Sequence, residues 1–328
     1  MTSKIAFVFP GQGAQNVGMG QDFAASSQTA KRIFDGFDQA LKTTNPSAQP
    51  ISEVCFNGPE ETLKQTLYTQ PAILATSLAA LALFEEKSDI RPDVTAGHSL
   101  GEYGALVASR VIDAETAARL IIKRASLMQE APAGAMSAVL GLAQDKLEDV
   151  VKDLQAAHAD AVIAVANFNT PDQIVITGSP TLLEEAALKL KEAGAKRVLP
   201  LPVGGAFHSP LMSPSAESFK TFLEETPELK SAFSDAVVPV INNVDAQATV
   251  VADELRLKLA SQIDHSVCWT QTMAKMVEDL GVDTVIEFGP GKVLTGMFKK
   301  THPSVTVYNV FDIASLEATL TALSAVAV

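Results

Sequence analysis

Gly97-His98-Ser99-Leu100-Gly101 is a G-x-S-x-G sequence, and its surroundings decide how the whole chain reads. Before it, Asp93-Val94-Thr95-Ala96 has the makings of a short buried strand. After it, residues 102–108 and 114–129 carry Ala and Leu at helical spacing. A strand that turns sharply into a helix needs small residues at the turn, because a Cβ there collides with neighbouring backbone. Such an elbow lifts the central hydroxyl to the end of the strand, beside a helix N-terminus where N–H groups and the dipole favour negative charge. Ser99 is therefore a candidate covalent nucleophile. Gly and Ser are common in turns of every kind, so the motif takes its weight from its context.

Working outward, Lys4-Ile5-Ala6-Phe7-Val8-Phe9 reads as a strand and Pro10-Gly11-Gln12-Gly13-Ala14-Gln15 as a glycine-rich loop. Helices are expected over residues 22–40 and 71–86. This order predicts an α/β core on a parallel sheet. The middle of the chain changes character. Strands are expected at 136–140, 162–167, 173–177 and 197–201, with helices at 144–157 and 181–193. That is β-α-β-β-α-β, the ferredoxin-like order. It suggests an inserted subdomain over residues 133–203, leaving 1–132 and 204–328 as the core domain. The first pattern then resumes, with helices at 210–225, 251–263 and 270–280 and strands at 237–240, 284–287 and 305–309. Gly289-Pro290-Gly291-Lys292 opens one more helix. A cleft between core and insert is the natural ligand site.

The chain has 328 residues, 47% of them hydrophobic and 19% charged, enough to bury a sizeable core. A net charge of −13 argues against a general nucleic-acid binder, which needs a basic surface. The two cysteines, Cys55 and Cys268, make neither a disulfide framework nor a metal-ligand pattern, so a reducing compartment and no metal are expected. No targeting peptide is expected, because a strand already begins at Lys4. The longest apolar run, residues 71–84, is short for a membrane span and reads as a buried helix. The cytoplasm is the expected compartment.

A serine nucleophile needs a base. Of the five histidines, His98 adjoins Ser99 on a turn where neighbouring side chains diverge, and His158, His265 and His302 sit in polar settings. His208 lies in Gly204-Gly205-Ala206-Phe207-His208-Ser209-Pro210, a small-residue loop after a strand and before a helix. Loops at the carboxyl ends of strands are where α/β folds build active sites, so His208 is the candidate base. A phosphate-binding loop is the rival reading of Gly11 to Gly13, but G-x-x-x-x-G-K-[ST] and a well-spaced G-x-G-x-x-G are missing. An α/β-hydrolase would place its histidine near the C-terminus, with an H-G-G-G loop upstream; neither holds here.

Taken together, Gly11-Gln12-Gly13-Ala14-Gln15, Gly97-His98-Ser99-Leu100-Gly101-Glu102, Arg124, Gly205-Ala206-Phe207-His208-Ser209 and Gly289-Pro290-Gly291-Lys292-Val293-Leu294 resemble the malonyl-CoA:acyl carrier protein transacylase family of type II fatty acid synthesis. The likeness runs nearly end to end, and it includes the insert. It implies a large α/β-hydrolase-like domain with a parallel sheet plus a smaller inserted ferredoxin-like subdomain. It also implies a ping-pong acyl transfer through Ser99, with His208 as base and the main-chain carbonyl of Gln262 orienting the imidazole. The amides of Gln12 and Leu100 would form the oxyanion hole, and Arg124 would hold the free malonyl carboxylate. Phe207 would crowd a 2-methyl branch. Asn167, Asn169 and Gln70 match positions near the acyl-CoA and pantetheine cleft. Lys196, Arg197, Lys299 and Lys300 resemble positions that meet the acidic carrier protein. The implied partners are a coenzyme A thioester and acyl carrier protein, with no cofactor, no nucleic acid and no membrane.

Overall fold

Strand β1 (Ile5–Phe9) lies at the centre of a six-stranded sheet, paired in parallel with β2 (Val94–Gly97) on one side and β9 (Thr284–Phe288) on the other. The computed structural model describes residues 3–326 of the chain. The remaining strands in chain order are β3 (Ala135–Leu140), β4 (Ile163–Thr170), β5 (Gln173–Gly178), β6 (Arg197–Pro200), β7 (Val240–Ile241), β8 (Ala248–Thr249) and β10 (Thr306–Val310). The large sheet runs β10-β9-β1-β2-β7-β8, parallel throughout except for the β7–β8 pair at its edge. Helices cover both faces, so β1 reads as an unbroken apolar run and β2 and β9 are buried along their whole length. Phe7, Phe84 and Phe288 meet edge-on beneath β1 and anchor one face, while Trp269 and Phe298 do the same on the other.

The second sheet has four strands in the order β4-β5-β3-β6, antiparallel throughout, with helices Gln144–Ala157 and Pro180–Glu192 packed on one face. This is the ferredoxin-like arrangement anticipated from the element order. Its entry and exit lie side by side: Ala133 bridges Gly205, and the Gly134 amide donates to the Gly204 carbonyl. The far end is pinned to the core where the Val267 amide donates to the Ala166 carbonyl and the Phe168 amide to the Val267 carbonyl.

Several boundaries differ from the sequence reading. The helix expected at 22–40 is two, Gln21–Ser26 and Gln28–Thr44, because Ser27 turns extended and its hydroxyl caps the Thr29 and Ala30 amides. The strand expected at 237–240 begins at Val240, since Pro239 has no N–H to give to a ladder. The helix expected at 270–280 starts at Trp269 and continues past Ala274 as a π-helical turn over Lys275–Asp279. Short helices at Ile51–Asn57, Glu60–Leu63 and Pro227–Ser231 and the long one at Ile313–Val326 were not anticipated. The apolar run at 71–84 belongs to a longer helix, Thr66–Lys87, whose 22 residues are long and apolar enough to cross a membrane. Its most apolar stretch is 89% buried inside the fold, which makes it the core helix that the sequence suggested.

Candidate active site

The elbow begins with close packing. A Cβ on Gly97 would collide with the Gly101 carbonyl, and one on Gly101 would run into the Phe9 carbonyl of β1. Glycine at both positions lets β2 pass directly into helix Gly101–Ala108. The turn forces Ser99 to φ 52°, a left-handed conformation that costs an L-residue energy and is held by its surroundings. Asn243, just past β7, supplies that hold: its Oδ1 accepts from the Ser99 amide at 2.6 Å and its Nδ2 donates to the Gly97 carbonyl at 2.6 Å. The Leu100 and Gln12 amides find no acceptor among the described residues and are free for a ligand oxygen.

His208 also sits at a positive φ, 58°, at the end of the loop that leaves the insert. Its Nε2 lies 2.8 Å from Ser99 Oγ. Its Nδ1 faces two carbonyls, Gln262 at 2.9 Å and His265 at 3.1 Å. A carbonyl can only accept, so the proton resides on Nδ1 and the Nε2 lone pair points at the serine hydroxyl. Burial, then the nearby Arg124 charge, lowers the His208 pKa to about 3, so the ring is neutral and able to accept a proton.

Arg124 projects from helix Ala114–Gln129 and is fully buried. Its Nη2 donates to Ser99 Oγ at 3.0 Å and to Gln262 Oε1 at 2.9 Å, and its Nη1 to Gln70 Oε1 at 2.6 Å. Its Nε has no acceptor, and none of its hydrogen-bond partners among the described residues is a carboxylate. A buried guanidinium with a spare donor and no counter-ion in contact is chemically able to bind an anion that reaches it, and two of its partners, Ser99 and Gln70, line the cavity described next.

Ser99, His208, Leu100 and Gln12 line a cavity of about 200 Å³, together with Gln70 and Phe207. The insert adds Met136 and Asn167 to its wall, so the cavity lies where core and insert meet. Asn169 is placed otherwise: its Oδ1 contacts His98 Nε2 at 2.8 Å, tying β4 to the elbow. Lys196, Arg197, Lys299 and Lys300 are all exposed. Lys300 is engaged by Asp172 at 2.6 Å. Among the described residues no His, Cys, Asp and Glu side chains cluster as a metal site.

The sequence reading missed two members of this site, Asn243 and Glu102. Glu102 is buried in the first turn of the elbow helix and accepts from Gln262 Nε2 at 2.7 Å and from the Asn243 amide at 3.1 Å. A signal was present in each case. Asn242-Asn243 follows an apolar strand, and Glu102 is a charge inside an otherwise apolar run of helix.

Residues 6–319 match the acyl transferase domain family. The chain is 42% identical to malonyl CoA-acyl carrier protein transacylase of Bacillus subtilis, with 98% of each covered. It is 40% identical to that of Haemophilus influenzae, with 96% of this chain and 97% of the relative covered. An acyl carrier protein S-malonyltransferase from Vibrio cholerae superposes with a TM-score of 0.88 at 39% identity, over 97% of this chain and all of that one. A malonyl-transacylase solved in complex with its type II polyketide acyl-carrier protein does so with a TM-score of 0.88 at 37% identity, over 97% of this chain and 99% of that one. With the elbow, the imidazole and the guanidinium assembled as described, the chain belongs to the malonyl CoA-acyl carrier protein transacylase family of acyltransferases.

Proposed function

We propose that this enzyme moves a malonyl group from malonyl-CoA to the phosphopantetheine thiol of acyl carrier protein, through an ester on Ser99, in fatty acid synthesis. The observation that carries the reading is the position of Ser99 Oγ, which touches a neutral imidazole on one side and a buried guanidinium on the other. The first lets the oxygen attack; the second selects what it attacks.

Malonyl-CoA enters with its free carboxylate on Arg124, which has the unused Nε donor. Ser99 Oγ adds to the thioester carbonyl while His208 Nε2 takes its proton. The Leu100 and Gln12 amides receive the oxyanion. The Gln262 and His265 carbonyls hold the Nδ1–H and stabilise the imidazolium as it forms. The C–S bond breaks, and His208 returns the proton to the departing thiolate. A thiolate leaves readily, so two carbonyls serve where a stronger leaving-group problem would call for a carboxylate. The second half runs in reverse with the carrier thiol as nucleophile. Each half is an exchange of one acyl bond for another, so no cofactor is required. Phe207 lines the acyl cavity and would crowd a 2-methyl branch.

The same reading divides the chain into a core of residues 1–132 and 204–328 and an insert of residues 133–203, supported by the pairing of Ala133 with Gly205 at its neck. Lys196, Arg197 and Lys299 are assigned to the acidic carrier, with Lys300 available once Asp172 releases it. The two free thiols, Cys55 and Cys268, suit the reducing cytoplasm. The test is intact-mass analysis after mixing with malonyl-CoA. One malonyl adduct is expected, discharged by holo acyl carrier protein as malonyl-carrier and absent from Ser99→Ala. Release as free malonate would identify a hydrolase, and no adduct would refute the reading.

A further inference from the structure

Arg124 is buried and positive, yet its partners among the described residues, Gln70, Ser99 and Gln262, are all neutral; the carboxylate whose charge acts on it is Glu102. The two are joined through one side chain. Gln262 accepts from Arg124 Nη2 with Oε1 at 2.9 Å and donates from Nε2 to Glu102 Oε2 at 2.7 Å. A carboxylate in direct contact would compete with an acyl carboxylate for the guanidinium. One set back behind a neutral carboxamide balances the charge while the guanidinium keeps only neutral partners, Gln70, Ser99 and Gln262. The second oxygen of Glu102 is poorly served: Asn242 Nδ2 lies 3.4 Å from Oε1, while the buried Asn242 Oδ1 has no donor among the described residues. A half-turn of that carboxamide would present Oδ1 to Oε1, an arrangement that a protonated Glu102 satisfies and an ionised one does not.

We propose that Glu102 is the proton-linked counter-ion of the acyl pocket: it is ionised opposite Arg124 while the pocket is empty and takes a proton from solvent when an acyl carboxylate settles on Arg124. The proposal rests on the malonyl-transfer reading and names the group that makes the site sense a dicarboxylic acyl chain. Among the described residues the charged group that acts on Glu102 is Arg124, from the neighbouring helix, and its other partners, Gln262, Asn242 and Asn243, are neutral amides; the Tyr103 phenol beside it, itself pushed upward by burial, stays neutral. Burial raises the Glu102 pKa to about 7 against the pull of these partners. A second negative charge on Arg124 raises it further. Proton uptake therefore falls in the window from about pH 7 up to that higher value. Across it, the hold on malonyl weakens as pH rises, by at most about tenfold per unit.

The test uses the whole enzyme in weak buffer at pH 8 with an indicator dye. Mixing wild type with malonyl-CoA should take up a proton fraction that acetyl-CoA does not evoke. In Glu102→Gln the protons taken up per malonyl group bound should fall to the acetyl-CoA level. Uptake that persists in Glu102→Gln, or that acetyl-CoA evokes equally, overturns the proposal. Should the variant fail to fold, wild type alone decides: the ratio of malonyl to acetyl loading should fall severalfold between pH 7 and 9, and a flat ratio overturns it. A wild type with no malonyl adduct at all refutes the functional reading itself.

Discussion

Two strand–turn–helix units flank β1 in the same sheet and end differently. On one side β2 passes through Ser99 into helix Gly101–Ala108; on the other β9 passes through Gly289 and Gly291 into helix Val293–Thr301. Each contains a buried glutamate. Glu287 closes its helix: its carboxylate accepts from the Leu294 amide at 3.0 Å, the Thr295 amide at 2.9 Å, the Thr295 hydroxyl at 2.6 Å and Asn309 Nδ2 at 3.0 Å. Nothing there is left for a ligand. The elbow is left open. Its carboxylate turns away toward Asn243 and Gln262, and the Leu100 amide faces the cavity with a serine beside it. The same backbone device becomes structure when its own side chain caps it, and chemistry when the cap is withheld for substrate.

The largest break in this comparison is His208→Ala. It disables the open unit without touching the closed one. Transfer to the carrier should fall by about 10²–10⁴-fold in kcat/KM, the range for loss of a general base, with the thermal midpoint hardly lowered. Equal losses of activity and of fold would mean that the histidine is a structural residue. Arg124→Ala comes next. On the proposed role of Arg124 it should remove the grip on the acyl carboxylate, at a cost of about 2–5 kcal/mol in malonyl transfer, or roughly thirtyfold and upward. Acetyl transfer, measured in parallel, should be spared or improved.

Glu287→Ala tests the closed unit. It strips the Leu294 and Thr295 amides of their acceptor in a buried setting, so unfolding should come about 2–4 kcal/mol more easily in denaturant titration. Activity per folded molecule should stay within a factor of two. A selective loss of transfer would erase the distinction between the two helix ends.

How much of this was legible in the sequence follows from what each feature depends on. Gly97, Ser99 and Gly101 announce the elbow because local backbone geometry demands small residues there. The insert showed itself by element order, His208 by its small-residue loop between a strand and a helix, and Arg124 and Gln262 by resemblance. The start of the strand expected at 237–240 was misplaced by a residue-level effect, the missing N–H of Pro239. Asn243 and Glu102 stayed hidden for a different reason. Both act through contacts spanning some 140 residues or more of chain, such as the Asn243 side chain on the Ser99 amide. Periodicity reports which face is buried; it carries no information about which buried polar group will meet which.

The smallest expected effect is in the pH dependence of stability, where His208 and Glu102 act in opposite directions. The folded His208 pKa is about 3, below its ordinary 6.5, so the folded chain binds fewer protons and this group makes stability fall as pH drops from about 6.5 toward 3. The folded Glu102 pKa is about 7, above its ordinary 4.5, so this group makes stability fall as pH rises from about 4.5 to 7. Between about pH 4.5 and 6.5 the two slopes offset each other. Subtracting the wild-type curve cancels every other titrating group. Relative to wild type, the thermal midpoint of His208→Gln should therefore climb on acidification across that window, and that of Glu102→Gln should drop. Curves that stay parallel to wild type in both variants would mean that neither side chain is held in the protonation state on which the open helix end depends.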